Sequence, residues 1–398
     1  MRIVLVNSVC GIGSTGRICA DLTQSLINRG NDAMIAYGRG KSSNGLTKNS
    51  IRIGNDKSVA VHGFMSRLFD MSGLGSIRAT KDFVNWIESY KPDIIHLHNV
   101  HGYYIHVPTL FQYLKSSRIK VIWTLHDTWA FSGHSGTCDK VECTKWKKGC
   151  SLCPLRREYP STLFDFSKRN WTWKKNVLSG LPNLTIVTPS RWLEEAVKES
   201  FLQKYKTVVI HNGIDTRVFK PLYNRPINRE EKKGKIKILG VANAWSKYKG
   251  LDDFYKLSQI LDSDKYQITL VGLTGDQRSK LPPHILGIEK TRNVEELVRL
   301  YNDCDYFVNM TYCDVFPTVN LEALSCGAKV ITYSTGGCPE TVRDFGGIVV
   351  PRGDLNSIVQ AIEAIPDGIV NVDKVHKNYS IDRFTNDYLA LYDEALKK

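Results

Sequence analysis

Two carboxylates with seven residues between them, Asp314 and Glu322, stand in the segment CDVFPTVNLEALSCG, residues 313–327. The strand-like DYFVNM runs up to the pair, Thr318 is a candidate N-cap and Gly327 a helix stop, so a short apolar helix is predicted between them. Asp314 then falls in a loop at the carboxyl edge of a sheet and Glu322 near the first turn of the helix. Both face the crevice in which open α/β sheets bind ligands. The N–H groups of Thr318, Val319 and Asn320 point the same way and suit a phosphate. Further on, KVITYSTGGCPETV gives a strand, a double glycine and Pro339 at a first helical position, which predicts a second helix N-terminus beside the first. GVANAWSKYKGLDDF brings Lys247 and Lys249 to the end of another strand. Two helix ends and two lysines around one crevice describe a diphosphate site without a metal. On spacing alone, a blander assignment stays open, with Glu322 complementing its helix dipole and Asp314 starting a turn.

The elements that must position these groups alternate almost throughout. RIVLVN, DAMIAY, DIIHLH, KVIWTLH, LTIVTPS and TVVIHNG read as strands in the first half; KIKILGVAN, YQITLVG, DYFVNM, KVITYS and GIVV follow in the second. Helical patterns such as GLDDFYKLSQIL, NVEELVRLYNDC and DLNSIVQAIEAI separate them, which favours βα units and parallel sheets. A chain of 398 residues exceeds one usual core, so two doubly wound domains are expected, 1–215 and 235–380. The charged, proline-containing stretch 216–234 reads as the linker, and 381–398 as an amphipathic helix that closes the chain and crosses back to the first domain.

Composition narrows the class. At 42% hydrophobic and 24% charged the chain is an ordinary globular protein, and no stretch reaches the roughly 18 apolar residues of a membrane span. The apolar run Ile3 to Val6 is too short for a signal sequence, which points to the cytoplasm. A net charge of +14 attracts polyanions: nucleic acid, anionic lipid or a phosphorylated substrate.

With these residues in view, the chain resembles the family 4 retaining glycosyltransferases, which have two facing Rossmann-like domains (the GT-B fold). DVFPTVNLEALSCG and VITYSTGGCPETV match the family's paired-acid signature and its Gly-Gly-x-Pro-Glu loop. GIGSTGRI, LHDTWAF, TPSRW, HNGIDTRVFKP and KGLDDF follow its order along nearly the whole chain. The likeness is strongest to polysaccharide-assembly members of the colanic-acid type, which carry a Cys-rich insert, here about 133–175. It implies that a UDP- or GDP-sugar donor binds mainly to the second domain. Asp314 would contact the sugar hydroxyls, Glu322 the ribose, Lys249 the departing diphosphate, and His126 the sugar from the first domain. Lys247, Phe316, Thr318, Val319, Asn320 and Gly13 of the glycine-rich loop complete the donor set, and His98 and His101 line the acceptor site. No catalytic divalent metal is implied, since fixed cations and helix N-termini hold the leaving diphosphate, and no dedicated protein base, since the leaving phosphate oxygen takes the acceptor's proton. Two departures stand out: Asp314 is one methylene shorter than the usual Glu, and Ala244 occupies the place of an Arg that Lys247 would replace.

Other features compete with this assignment. CGIGSTG fits a dinucleotide fingerprint, but AMIAYGRG offers no acid for a ribose. Asp303 and Asp305 imitate a metal-binding D-x-D, yet each sits at an element boundary and suits a turn. His126 precedes Asp127, which is expected to orient its ring. Cys138, Cys143, Cys150 and Cys153, spaced C-x4-C-x6-C-x2-C, fit a structural zinc site, with disulfides or free thiols as the other outcomes. Residues 140–175 carry ten Lys and Arg against three Asp and Glu, a local balance of +7, interleaved with Trp146, Tyr159, Phe164, Phe166, Trp171 and Trp173. That mixture suits an anionic membrane surface presenting a lipid-linked oligosaccharide acceptor, on the inner face of the cell membrane. The other outcome for this stretch is a solvated loop with its aromatics packed on the domain. For the function as a whole the alternatives are a zinc-stabilised nucleic-acid binder, which is not the expectation here, and a nucleotide-sugar epimerase of the same fold.

Overall fold

Two parallel sheets organise the chain in a computed structural model, which describes residues 1–42, 45–223, 234–364 and 370–397. Residues 224–233 of the expected linker lie outside the described residues. The first sheet comprises β1 (Arg2–Val9), β2 (Asp32–Arg39), β3 (Ser50–Arg52), β4 (Ile94–Leu97), β5 (Lys120–Thr124), β6 (Leu184–Thr188) and β7 (Lys206–Val209), ordered β3-β2-β1-β4-β5-β6-β7. The second comprises β8 (Ile236–Val241), β9 (Tyr266–Val271), β10 (Ile285–Ile288), β11 (Tyr306–Asn309), β12 (Lys329–Tyr333) and β13 (Ile348–Val350), ordered β10-β9-β8-β11-β12-β13. Central strands read as unbroken apolar runs because helices cover both faces: Ile3, Val4, Leu5 and Val6 have no solvent exposure. β1 pairs with β2 and β4, Ile3 standing opposite Ala33 and Ile94.

The helices are α1 (Gly13–Asn28), α2 (Asp56–Phe69), α3 (Ile77–Tyr90), α4 (Val107–Ser116), α5 (Ser167–Leu178) and α6 (Arg191–Lys198) with the first sheet. With the second come α7 (Leu251–Ile260), α8 (Gly275–Ser279), α9 (Val294–Asp303), α10 (Thr318–Ser325), α11 (Leu355–Glu363) and α12 (Val372–Tyr379), followed by α13 (Ile381–Lys397). Two compact units result, 1–211 with 384–398, and 212–383. The apolar stripe of α13 seats its last four turns in the first unit. There the Tyr392 hydroxyl meets His96 Nδ1 at 2.7 Å, Tyr388 meets Thr124 Oγ1 at 2.7 Å, and Lys206 pairs with Glu394 at 2.6 Å.

In each sheet the strand order reverses between the first strand and the fourth. Loops diverge there at the carboxyl edge and leave room for a ligand. The glycine-rich loop after β1 and the histidine segment after β4 meet at one such point. The lysine segment after β8 and the Asp314 loop after β11 meet at the other.

The expected insert folds as short 3-10 turns, Cys138–Val141 and Lys145–Lys147, leading into α5. Buried polar anchors fix it to the first unit. His134 Nδ1 lies 2.7 Å from Asp70 Oδ1, and Asn170 Nδ2 donates to Asp70 O at 2.7 Å. Lys174 Nζ donates to Trp129 O at 2.8 Å and Ser132 O at 3.0 Å, and burial pulls its pKa down to about 7. Of the two outcomes for the aromatics of 140–175, packing on the domain holds for several of them. Trp146 is buried against Phe131, and the indole N–H groups of Trp171 and Trp173 donate to Trp146 O and Asn170 Oδ1, so these rings hold the insert together. Tyr159 and Phe164 remain exposed.

Candidate active site

In the second unit the chain from β8 enters a 3-10 turn, Lys247–Lys249, closed by Gly250 at φ +81°. A Cβ there would stand 2.4 Å from Met310 O, so only glycine lets the turn lie against the end of β11. This contact sets Lys249 beside the Asp314 loop, and Lys249 Nζ donates to Asp314 Oδ2 at 2.8 Å. Burial works against the ammonium, but the Asp314 carboxylate outweighs it and raises the Lys249 pKa, so the side chain stays charged. Lys247 is exposed, with its Nζ 4.8 Å from the Tyr248 ring centre, and Ala244 is exposed nearby.

The acids occupy different environments. Asp314 is partly open, and its Oδ1 accepts the Phe316 N–H at 3.2 Å. Glu322 is buried on the second turn of α10, where Tyr301 Oη of α9 donates to it at 3.0 Å. Burial, then the Glu322 charge, raise the Tyr301 pKa far above its ordinary value, so the phenol remains a donor.

The start of α10 differs from expectation. Pro317 is the N-cap and Thr318 the first helical residue, because proline supplies the extended entry and Thr318 makes no side-chain cap. The Asn320 amide donates to Pro317 O at 3.2 Å, which leaves the Thr318 and Val319 amides to head the helix. The Asn320 side chain is committed to the frame: it accepts from Asn309 Nδ2 at 2.8 Å and donates to Thr341 Oγ1 at 2.9 Å. Phe316 is likewise core, its ring packed on Tyr379.

The expected second helix N-terminus is a three-residue 3-10 turn, Pro339–Thr341; no α-helix follows β12 directly. Its double glycine serves another purpose. Gly336 has φ +50°, a Cβ on it would lie 2.0 Å from Asp314 O, and Gly337 N–H donates to that oxygen at 3.1 Å. The pair clamps the Asp314 backbone from the next loop. The paired glycines were visible in the sequence; the target of the clamp and the Tyr301 contact were not.

In the first unit His98 Nδ1 and His126 Nε2 are 2.9 Å apart, and the rings stack with centres at 5.2 Å. His98 Nε2 is buried without a partner. Which ring donates across the His98–His126 contact depends on the tautomers of the two imidazoles. Burial lowers the His126 pKa to about 4 and keeps His98 neutral as well. Asp127 does not orient His126 as expected; its Oδ2 accepts from His101 Nε2 at 2.8 Å and its Oδ1 from the Trp129 N–H at 2.8 Å. Burial opposes the Asp127 charge, but His101 and these hydrogen bonds hold its pKa below the usual value. Gly13 opens α1 at φ +67°, and Gly11 N–H donates to Gly16 O at 2.9 Å, shaping the loop after β1.

The zinc expectation is not supported. Among the described residues no three His, Cys, Asp or Glu side chains are grouped to hold a metal ion. Cys138, Cys143, Cys150 and Cys153 are free thiols. The Cys138 thiol donates to Ser135 O at 3.5 Å and Cys150 Sγ accepts from Gly133 N–H at 3.2 Å. Burial pushes the Cys138 thiol up to about 12 and the Cys153 thiol to about 11, so both are protonated. A cavity of about 630 Å³ in the second unit, lined by Lys237, Thr269, Gly287 and Leu300, contains none of the site residues.

Two parallel-sheet units of Rossmann order are the architecture of the GT-B glycosyltransferases. The chain belongs to Glycosyltransferase Family 4, whose model matches residues 15–218, and a Glycosyl transferases group 1 domain matches residues 235–367. It is 26% identical over 381 residues, 90% of each chain, to a protein named for colanic acid biosynthesis, the glycosyl transferase WcaC of Escherichia coli (strain K12). It is also 26% identical over 225 residues to the N,N'-diacetylbacillosaminyl-diphospho-undecaprenol alpha-1,3-N-acetylgalactosaminyltransferase of Campylobacter jejuni, covering 51% of this chain and 58% of that one. Among solved structures, Anabaena Alr3699/HepE in complex with UDP superposes with a TM-score of 0.65 at 14% identity, over 99% of this chain and 100% of that one. Among the described residues no helix is long and apolar enough to cross a membrane.

Proposed function

We propose that the protein transfers a sugar, with retention, from a uridine-diphosphate donor to a lipid-linked oligosaccharide during assembly of a surface polysaccharide. The observation that carries this reading is the Lys249–Asp314 pair at 2.8 Å beside the amides that head α10. When the donor binds, Lys249 exchanges its carboxylate partner for the diphosphate, and Asp314 is released to accept from sugar hydroxyls. Glu322, oriented by Tyr301, receives the ribose hydroxyls, and the Thr318 and Val319 amides face the phosphates. His126 is the first unit's candidate for a sugar contact, and His101, paired with Asp127, its candidate for the acceptor.

In the reaction the bond from the anomeric carbon to the diphosphate oxygen breaks and a bond to the acceptor oxygen forms on the same face. The acceptor's proton passes to the leaving phosphate. Negative charge grows on the diphosphate, and a fixed ammonium with helix-end amides stabilises it more in the transition state than in the ground state. A uridine-diphosphate donor is supported by the HepE complex with UDP, and a lipid-linked acceptor by the Campylobacter relative's name. The basic insert is read as the side turned to an anionic membrane. A thermal-shift panel of UDP-, GDP- and ADP-sugars on the wild type and Glu322→Ala tests the assignment. One nucleotide class should stabilise the wild type and lose most of its effect in the variant; equal shifts in both would remove Glu322 from the site.

A further inference from the structure

The solvent face of α2 carries an apolar stripe that stays exposed among the described residues. Val61 is 64% exposed and Phe64 62%, while His62 and Ser66 on the opposite face are buried. The insert extends the same surface. Leu163 N–H donates to Arg67 O at 2.8 Å, joining the insert loop to the end of α2, and Leu163 and Phe164 stand out at 59% and 57% exposure. Arg156 Nη1 donates to Leu163 O at 2.7 Å and Arg169 Nη2 to Phe69 O at 2.7 Å, so both cations brace the junction.

Cations predominate around this patch; the carboxylate of Asp165, next to Phe164, is engaged by the Cys153 and Ser167 N–H groups. Lys57 and Arg67 are exposed at the two ends of the α2 stripe, and Lys168 and Arg169 are exposed beyond the loop. From Lys57 to Phe69 the helix has no acid, and Asp56 before it is engaged by Arg52. Protruding aliphatic and aromatic side chains inside a cationic rim match the boundary between acyl chains and anionic headgroups, where an interfacial helix buries one face and pairs its cations with phosphates.

We infer that α2 and the loop around Leu163 and Phe164 form one docking face for an anionic lipid bilayer. The inference rests on the reading of a lipid-linked acceptor and deepens it by assigning the face that meets the membrane. It also shifts that face away from Trp146, Trp171 and Trp173, which the fold uses internally.

Vesicle co-sedimentation of the full chain tests the assignment, with phosphatidylcholine vesicles alone and with about one-third phosphatidylglycerol, at low and moderate salt. The wild type should bind the anionic vesicles in a salt-sensitive way, and F64S/L163S/F164S should bind them roughly tenfold or more weakly. K57E/R67E should lose the preference for anionic over neutral vesicles. Melting temperature and the thermal shift given by UDP should be unchanged in both, since the substituted side chains are exposed. Absence of wild-type binding, or equal binding by the triple variant, overturns the proposal. So does a wild-type dimer that the triple variant dissociates while vesicle binding stays the same. Loss of the UDP shift in the wild type would instead strike the transferase reading and leave the vesicle result intact.

Discussion

Replacing Lys249 with Met separates the donor-binding role of this side chain from its contribution to folding. Its bond to Asp314 is 2.8 Å long, but the two side chains are 38% and 24% exposed. An ion pair so open to solvent contributes about 0–1 kcal/mol to stability. The melting temperature of K249M without ligand should therefore fall little. Against a diphosphate, the lost ammonium is a charge-assisted hydrogen bond worth about 1.5–3 kcal/mol. That corresponds to about 10- to 150-fold weaker binding of UDP. Turnover should fall by more than affinity, because charge on the leaving group is greatest in the transition state. Calorimetric titration with UDP and a steady-state transfer assay give the two quantities. UDP affinity within about twofold of wild type would refute the placement of the diphosphate. A large loss of stability with normal affinity would make Lys249 a structural residue.

Gly336→Ala should abolish the UDP shift and lower stability by more than about 1 kcal/mol, since a Cβ at φ +50° would lie 2.0 Å from Asp314 O; thermal melts with and without UDP report both effects. Tyr392→Phe should cost about 1–3 kcal/mol in urea unfolding by leaving His96 Nδ1 buried without its 2.7 Å partner, without changing UDP affinity. Acid should destabilise the chain in a defined window. Burial lowers the pKa of His96 and His98, and that of His126 to about 4. Between about pH 6.5 and 4 the unfolded chain binds protons that the folded chain refuses, so the stabilisation is complete above pH 6.5 and is lost as pH falls through that range. Melting temperature against pH should show this decline, shallower in His98→Asn; a flat profile would contradict the neutral histidine pair.

The parts of this structure that the sequence discloses are those where local chemistry and global position agree. Eleven apolar runs read as strands because parallel strands bury both faces, and the Asp314, Glu322 and Lys249 segments follow strands whose carboxyl ends lie at a switch point. The edge strands β3 and β10 escaped notice: SIR and ILGI are short, pair on one side only and show no alternation. Thr318 has the chemistry of an N-cap, yet Pro317 fixes the backbone one residue earlier. Four closely spaced thiols suggest zinc, but spacing does not report that Cys138 Sγ meets Ser135 O and Cys150 Sγ the Gly133 N–H. Tyr301 lies 21 residues from Glu322, and His98 lies 28 from His126, so only tertiary packing joins them. For the aromatics of the insert both packing and membrane exposure stayed open in the sequence, because composition does not distinguish a ring turned inward from one turned outward.

The decisive measurement is a crystal structure of the protein with UDP bound. The diphosphate should lie within hydrogen-bonding distance of Lys249 Nζ and the Thr318 and Val319 amides, with the ribose on Glu322 and the bond between Lys249 and Asp314 broken. A nucleotide bound elsewhere, with that ion pair still closed, would contradict the account.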